Sequence, residues 1–113
     1  MEDWKITWKD TADMGLPEHL IGTKYLRFMA NEIGAANPDR DWQFTKYLYV
    51  LAGIQYGRSD GRCVERACRT AIQEMRKATG CRAYTVTELL YEMAELAWER
   101  REAQGVPDKG ELD

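Results

Sequence analysis

The sequence contains few of the residues on which catalytic, metal-binding or disulfide-bonded proteins depend. Its 113 residues include one histidine and three cysteines. The cysteines, Cys63, Cys68 and Cys81, form no CxxC pair, and their odd number and irregular spacing favour three reduced thiols over a disulfide framework or a zinc site. No nucleophile–base pair, metal-ligand cluster or phosphate-binding loop stands out, so we expect neither an enzyme nor a bound cofactor.

Long apolar runs are also missing. No stretch of 18 apolar residues occurs, and no basic start leads into an apolar segment, so we expect no membrane association, no signal peptide and a cytoplasmic protein. The composition, 44% hydrophobic and 31% charged with four tryptophans and six tyrosines, is typical of one soluble domain with a substantial core. We expect that domain to span residues 1–103. Residues 104–113 contain Gly, Pro and acidic residues and are predicted to form a disordered tail.

Positive charge is scarce overall but concentrated in one segment. The net charge of −3 opposes binding to nucleic acid in general. Between Arg58 and Arg82, however, the chain contains seven basic and three acidic residues, a net charge of +4. The rest of the chain carries a net charge of −7. A positive front on an acidic body can bind one face of DNA. We expect such binding to be weak without specific contacts and to depend strongly on salt.

The basic segment, Ser59 to Gly80, has the pattern of one amphipathic helix. Ser59 or Asp60 can cap its first turn and Gly80 can end it. Apolar residues recur at helical spacing along one side: Val64, Ala67, Cys68, Ala71, Ile72 and Met75. The opposite side is polar and carries the Arg62, Glu65, Arg66 and Arg69 cluster. That face is either a DNA-reading surface or an ordinary solvated one with pairs such as Glu65–Arg69.

A second helical pattern precedes the basic one. It covers residues 43–56, and Gly57 can end it. Ala52 and Gly53 are small enough to let another helix approach closely. Two helices joined by a short turn containing glycine, the second with a basic front, indicate a helix-turn-helix. We therefore predict an all-α fold, a compact bundle of about five helices containing a helix-turn-helix.

Three further helices complete the predicted bundle. Residues 1–15 fit either a strand, from the alternation of Trp4, Ile6 and Trp8, or a helix. The next helix should start with Pro17 in its first turn, run to about Ile33 and stop at Gly34; its expected buried stripe is Leu20, Ile21, Tyr25, Phe28, Met29 and Ile33. The last should begin with a capping box of Thr85 and Glu88 and bury a second apolar stripe. The residues of that stripe are Leu89, Leu90, Met93, Leu96 and Ala97.

Three collinear segments carry a family resemblance. VERACRTAIQ, residues 64–73, resembles VERAIRHAIE in the DNA-binding effector domain of the master sporulation response regulator of endospore-forming bacteria. LPEHLIGTKYLR, residues 16–27, is similar to VPAHIKGYQYLR, and FTKYLY, residues 44–49, to ITKELY. The resemblance spans about residues 6–77 and favours a first helix that ends at Gly15. It implies a stand-alone effector domain.

The resemblance also implies a function. In that family the recognition helix enters the major groove and reads a short box with a CGA core, which implies double-stranded DNA as the partner. The VER match assigns base reading to Glu65 and Arg66, and the next arginine is Arg69. Together with the basic residues of the segment, the candidate DNA-binding residues are Arg58, Arg62, Glu65, Arg66, Arg69 and Thr70.

The chain departs from the family in the same region. Arg62-Cys63 replaces the family's Ser-Arg before VER, Thr70 replaces a histidine, and the segment between Tyr56 and Val64 is one residue longer. A second hypothesis is therefore a protein-binding module of the same fold that modulates a larger regulator without tight DNA binding. The sequence leaves open whether the protein forms a homodimer on DNA, and whether it activates or represses.

Overall fold

Five α-helices and no strand make up the part of the chain that the computed structural model describes, residues 3–57 and 60–105. The helices are α1 (Trp8–Met14), α2 (Ile21–Ala36), α3 (Tyr49–Gln55), α4 (Gly61–Thr79) and α5 (Val86–Gln104), and a π-helical turn, Phe44–Leu48, leads directly into α3. The predicted all-α bundle is confirmed.

Helix α2 lies at the centre of the bundle. It packs against α5 and α4, α1 packs against it, and α3 packs against α4. The apolar stripes of these helices meet in one core. Its largest fully buried side chains include Tyr25, Leu26, Met29, Ile33, Leu48, Met75, Leu89, Leu90 and Met93. Helix α2 thus packs against both α5 and α4. Its contact with α4 is the largest that α4 makes, so α2 contributes most to the position of α4.

Two glycines allow α2 to pack this closely. A Cβ added to Gly22 would collide with the carbonyl oxygen of Ala67 in α4, and one added to Gly34 would lie 2.8 Å from the Cβ of Ala97 in α5. The prediction that Gly34 stops the helix was wrong, because α2 continues to Ala36. Gly34 serves helix packing instead, and its close contact with α5 offsets the low helix propensity of glycine.

The start of α2 also differs from the prediction. Pro17 lies in the turn before the helix, where its carbonyl oxygen accepts hydrogen bonds from the Leu20 amide (3.3 Å) and the Thr23 hydroxyl (2.7 Å). Helix α2 therefore begins at Ile21. Ile21, expected in the core, is 38% exposed, and Leu26 is fully buried. The reason is that the contacts with both α4 and α5 widen the buried face and leave Ile21 at its rim.

The predicted helix ends hold for α1, α4 and α5. Gly15 and Gly80 adopt left-handed conformations, with φ of 92° and 69°, just past α1 and α4. Thr85 and Glu88 form the capping box of α5: the Glu88 amide donates to the Thr85 hydroxyl (3.1 Å) and the Thr85 amide donates to the Glu88 carboxylate (2.9 Å). Gly105 ends α5. The disordered tail was predicted to start at residue 104, but Gln104 is the last residue of α5 and Gly105 is its C-cap; residues 106–113 lie outside the described residues.

One member of the predicted α5 stripe was assigned wrongly. Leu96 is 38% exposed, and Ala94 and Arg101 are buried on α5. Arg101 is only 3% exposed; its Nη1 donates to the carbonyl oxygen of Gly34 (3.1 Å), and its guanidinium lies 5.2 Å from the rings of both Trp4 and Trp98. A charged residue therefore occupies a core position through cation–π contacts that the apolar periodicity does not encode.

Candidate nucleic-acid interface

Helix α4 has the two faces that its sequence predicts. The apolar stripe is buried at Val64, Cys68, Ala71, Ile72 and Met75 and half-buried at Ala67. Burial raises the pKa of the Cys68 thiol, so Cys68 is a neutral core residue at physiological pH. The polar face points away from the bundle and is exposed at Arg62, Arg66, Arg69, Thr70 and Gln73. The predicted site residues of α4 are therefore brought together on one accessible surface.

The centre of this surface is a line of three side chains. Arg66 follows Arg62 by four residues and Gln73 follows Arg66 by seven, so all three project from the same side of the helix. Among the described residues, no hydrogen bond or ion pair holds the guanidinium of Arg62 or Arg66. Gln73 was not among the predicted site residues. Its spacing of seven from Arg66, two helical turns, was the available signal.

Glu65 and Arg69 are in a different state, because they bind each other. The Nη2 of Arg69 lies 3.1 Å from the Oε1 of Glu65, with side-chain exposures of 64% and 39%. A surface pair of this spacing stabilises a helix by only about 0.3–0.5 kcal/mol. Both side chains can therefore change partner at a small cost in free energy, and both lie near Arg66 on the surface of α4.

The side-chain carboxylate of Asp60 caps the N-terminal end of α4. Oδ1 of Asp60 accepts a hydrogen bond from the Arg62 amide (2.9 Å), and Oδ2 lies 3.6 Å from the Sγ of Cys63. The Thr70 hydroxyl donates to the carbonyl oxygen of Arg66 (3.1 Å). Its oxygen is exposed and can still accept a hydrogen bond. Arg58, the remaining predicted site residue, lies outside the described residues.

Helix α3, which precedes α4, is held by buried residues. Tyr49, Ala52 and Gly53 of α3 are buried, and α3 packs on α4, as the small residues at 52 and 53 predict. Burial also raises the pKa of Tyr49 to about 12. At the end of α3 the Tyr56 ring lies edge-on to Tyr25 of α2, with centroids 5.6 Å apart. Tyr56, the C-cap residue of α3, is thereby held against α2.

The first turn of α2 forms a second wall beside the polar face. A shallow groove of about 250 Å³ lies between the two helices; it is lined by Leu20, just before α2, by Ile21 and Gly22 of α2, and by Cys63, Arg66, Ala67 and Thr70 of α4. The backbones touch at Gly22 and Ala67, and the Cys68 thiol lies 3.9 Å from the carbonyl oxygen of Gly22. No sequence pattern had indicated that α2 borders the polar face.

The sequence of this region matches a known family. Residues 9–104, from α1 to the end of α5, match the family model described as sporulation initiation factor Spo0A C terminal. The chain belongs to this family. The match extends beyond the three segments that first carried the resemblance and includes α5. No curated protein and no solved structure matches the chain.

Membership places the chain among DNA-binding regulatory domains, which are not an enzyme family. All described parts of the polar face and both walls of the groove lie within the matched range. Among residues 3–57 and 60–105, no three His, Cys, Asp or Glu side chains converge into a metal-binding group. In the same ranges, no helix combines the length and apolarity needed to span a bilayer.

Proposed function

We propose that this protein binds double-stranded DNA in a sequence-specific manner and acts as a transcriptional regulator. In this proposal α3 and α4 form a helix-turn-helix, and α4 is the recognition helix that enters the major groove. The observation that carries the proposal is the exposed line of Arg62 and Arg66, which have no competing partner among the described residues of a chain from a DNA-binding family.

Each polar side chain of α4 has a chemical role in this proposal. Arg66 offers two parallel N–H donors, the geometry that recognises O6 and N7 of guanine. Glu65 can accept from N4 of cytosine once Arg69 releases it, and Arg69 then turns to a base or a phosphate. Arg58, Arg62 and Thr70 supply further contacts to phosphates or base edges. Exchanging the Glu65–Arg69 pair for DNA contacts costs only a few tenths of a kcal/mol.

The charge distribution favours binding in which contacts with bases, more than general attraction to phosphates, supply the affinity. The segment 58–82 carries +4 and faces the phosphates, while the remainder carries −7 and repels them. Sequence-independent attraction should therefore be modest, and base contacts should supply an unusually large share of the affinity. Binding should weaken steeply as salt rises, because each phosphate contact releases counterions.

The decisive experiment is selection of bound sequences from random duplex DNA by the full chain. We expect enrichment of one short box, which the wild-type protein then binds more tightly than a scrambled duplex at two salt concentrations. The spacing of paired boxes would also show whether the protein binds DNA as a homodimer. Failure to enrich any sequence, with equal affinity for box and scramble, would overturn the proposal.

The second candidate is a protein-binding module that acts on a larger regulator. The observations that favour it are the net acidity of the chain and the Glu65–Arg69 pair, which neutralises part of the polar face. A protein that fails the selection but co-purifies with a regulator in stoichiometric amounts would fit this candidate.

A further inference from the structure

Ile21 is an exposed aliphatic residue at the edge of the polar face of α4. It is the first residue of α2 and is 38% exposed, although its spacing in the sequence predicts burial. It lines the groove of about 250 Å³ together with Arg66 and Thr70 of α4. An apolar side chain therefore lines the same groove as Arg66, the arginine at the centre of the proposed DNA-reading surface.

The position of Ile21 relative to α4 is fixed by the backbone. Its neighbour Gly22 packs so closely on Ala67 that a Cβ at Gly22 would collide with the Ala67 carbonyl oxygen. The Cys68 thiol adds a contact of 3.9 Å to the carbonyl oxygen of Gly22. A group of a duplex that enters the groove beside Arg66 consequently meets Ile21 at a defined place relative to α4.

The chemistry of the groove selects one group of the duplex. Phosphates would find polar partners on the α4 side of the groove, at Arg66 and Thr70, but none in the apolar side chains of Leu20 and Ile21 on the opposite side. The apolar group that base pairs present in the major groove is the C5-methyl of thymine, and aliphatic side chains are suited to contact it. Arg66 at the rim provides the charge complementarity that draws the duplex against the groove.

We propose that Ile21 is a further specificity-determining residue that packs against the C5-methyl of a thymine adjacent to the base pair read by Arg66. This inference rests on the proposed function, since it requires α4 to enter the major groove. It extends the reading surface from the recognition helix to the first turn of α2.

The test replaces thymine with uracil at each position of the selected box, a change that removes only the methyl group. Wild-type protein should lose affinity about three- to fivefold at one position next to the base pair at which Arg66→Ala relaxes the preference, as expected for one buried methyl. Ile21→Ala should bind the thymine box more weakly by a similar factor. It should also lose its response to uracil at that position.

Leu96→Ala is the matched control, because Leu96 is also 38% exposed but lies on α5. It should bind both boxes as the wild type does, and thermal melts should show all variants folded. The inference is overturned if no adjacent thymine is selected, if uracil has no effect, or if Ile21→Ala keeps the wild-type response to uracil. If wild type does not distinguish box from scramble, the proposed function itself fails.

Discussion

Glu65 and Arg66 are neighbours in the sequence but differ in their bonding. Arg66 is exposed and has no ion-pair partner among the described residues, so it can meet a base without first breaking a bond. Glu65 is held by Arg69 at 3.1 Å. In the proposed complex, Arg66 should consequently contribute most to the discrimination between bases, and Glu65 and Arg69 should contribute as an exchanging pair.

The first prediction concerns Arg66. Arg66→Ala should weaken binding to the selected box by about 1–3 kcal/mol and relax the preference at one base pair, because a bidentate arginine–guanine contact is lost. Titrations of wild type and variant against box and scramble at two salt concentrations measure both effects. Lys9→Ala, which removes one positive charge from α1, is the control and should leave the base preference unchanged.

A different result would assign Arg66 to the DNA backbone. In that case affinity would fall equally for box and scramble, and the salt slope would decrease by about one unit. Direct base reading by Arg66 would then be wrong, while DNA binding by α4 would stand.

At the scale of the elements, the contact between α2 and α4 positions α4, the proposed recognition helix. The two helices touch through backbone atoms at Gly22 and Ala67, and α3 also packs against α4. Interiors packed this closely transmit small changes of volume, because there is little free space to absorb them. The orientation of α4 should therefore be sensitive to single atoms at this crossing.

The second prediction follows from that contact. Gly22→Ala should destabilise the protein by roughly 3 kcal/mol or more, at or above the usual range for overpacking, because the obstructing atom is a backbone oxygen and the helices must separate. The urea midpoint measures the loss. Lys24→Ala, an exposed change in the same part of α2, is the control and should have little effect.

A double variant distinguishes the backbone of Ala67 from its side chain. Ala67→Gly in the Gly22→Ala background should not restore stability, because it removes a side chain and leaves the carbonyl oxygen in place. Full recovery in that double variant would show that the Cβ of Ala67, and not its backbone, limits the approach of the helices.

At the scale of the whole molecule, an ion pair joins the first helix of the chain to the last. Arg100 of α5 binds Asp10 of α1 through two hydrogen bonds, Nη2 to Oδ1 at 2.8 Å and Nη1 to Oδ2 at 3.0 Å. These bonds, aided by the Thr7 amide, lower the pKa of Asp10 from 3.8 to about 2 against the opposing effect of burial. The charged carboxylate is therefore favoured by folding.

The third prediction is a dependence of stability on pH. Because the pKa of Asp10 is lower in the folded state, its contribution is fully present above about pH 4 and is lost as pH falls through about 2. Denaturation at a series of pH values should show Asp10→Asn with reduced stability at neutral pH. The difference from wild type should shrink as pH falls through this window.

Asp13→Asn, on the same helix but exposed, controls for the loss of one negative charge. If the difference between wild type and Asp10→Asn were constant from pH 5 to pH 2, the pairing with Arg100 would not be the source of the stability.

The sequence by itself determined the elements and the polar face of α4. Helical periodicity is a local property, so the stripe from Val64 to Met75 and the stop at Gly80 follow from residues close together in the chain. The arginines opposite that stripe had to be exposed for the same reason. The stop at Gly15 was predicted only from the family resemblance, because the pattern of residues 1–15 also fits a strand. The family resemblance, which the match over residues 9–104 confirms, also needed only the order of residues.

Only the tertiary structure decided which helices touch and how closely. Local periodicity indicates that a glycine is a weak helix former, but whether Gly34 ends α2 or admits Ala97 depends on a helix more than 60 residues away. The burial of Arg101 between two tryptophans, the pairing of Asp10 with Arg100 and the exposure of Ile21 beside Arg66 have the same origin. Each is set by the distance between side chains that are far apart in the chain, and that distance is fixed only when the helices pack.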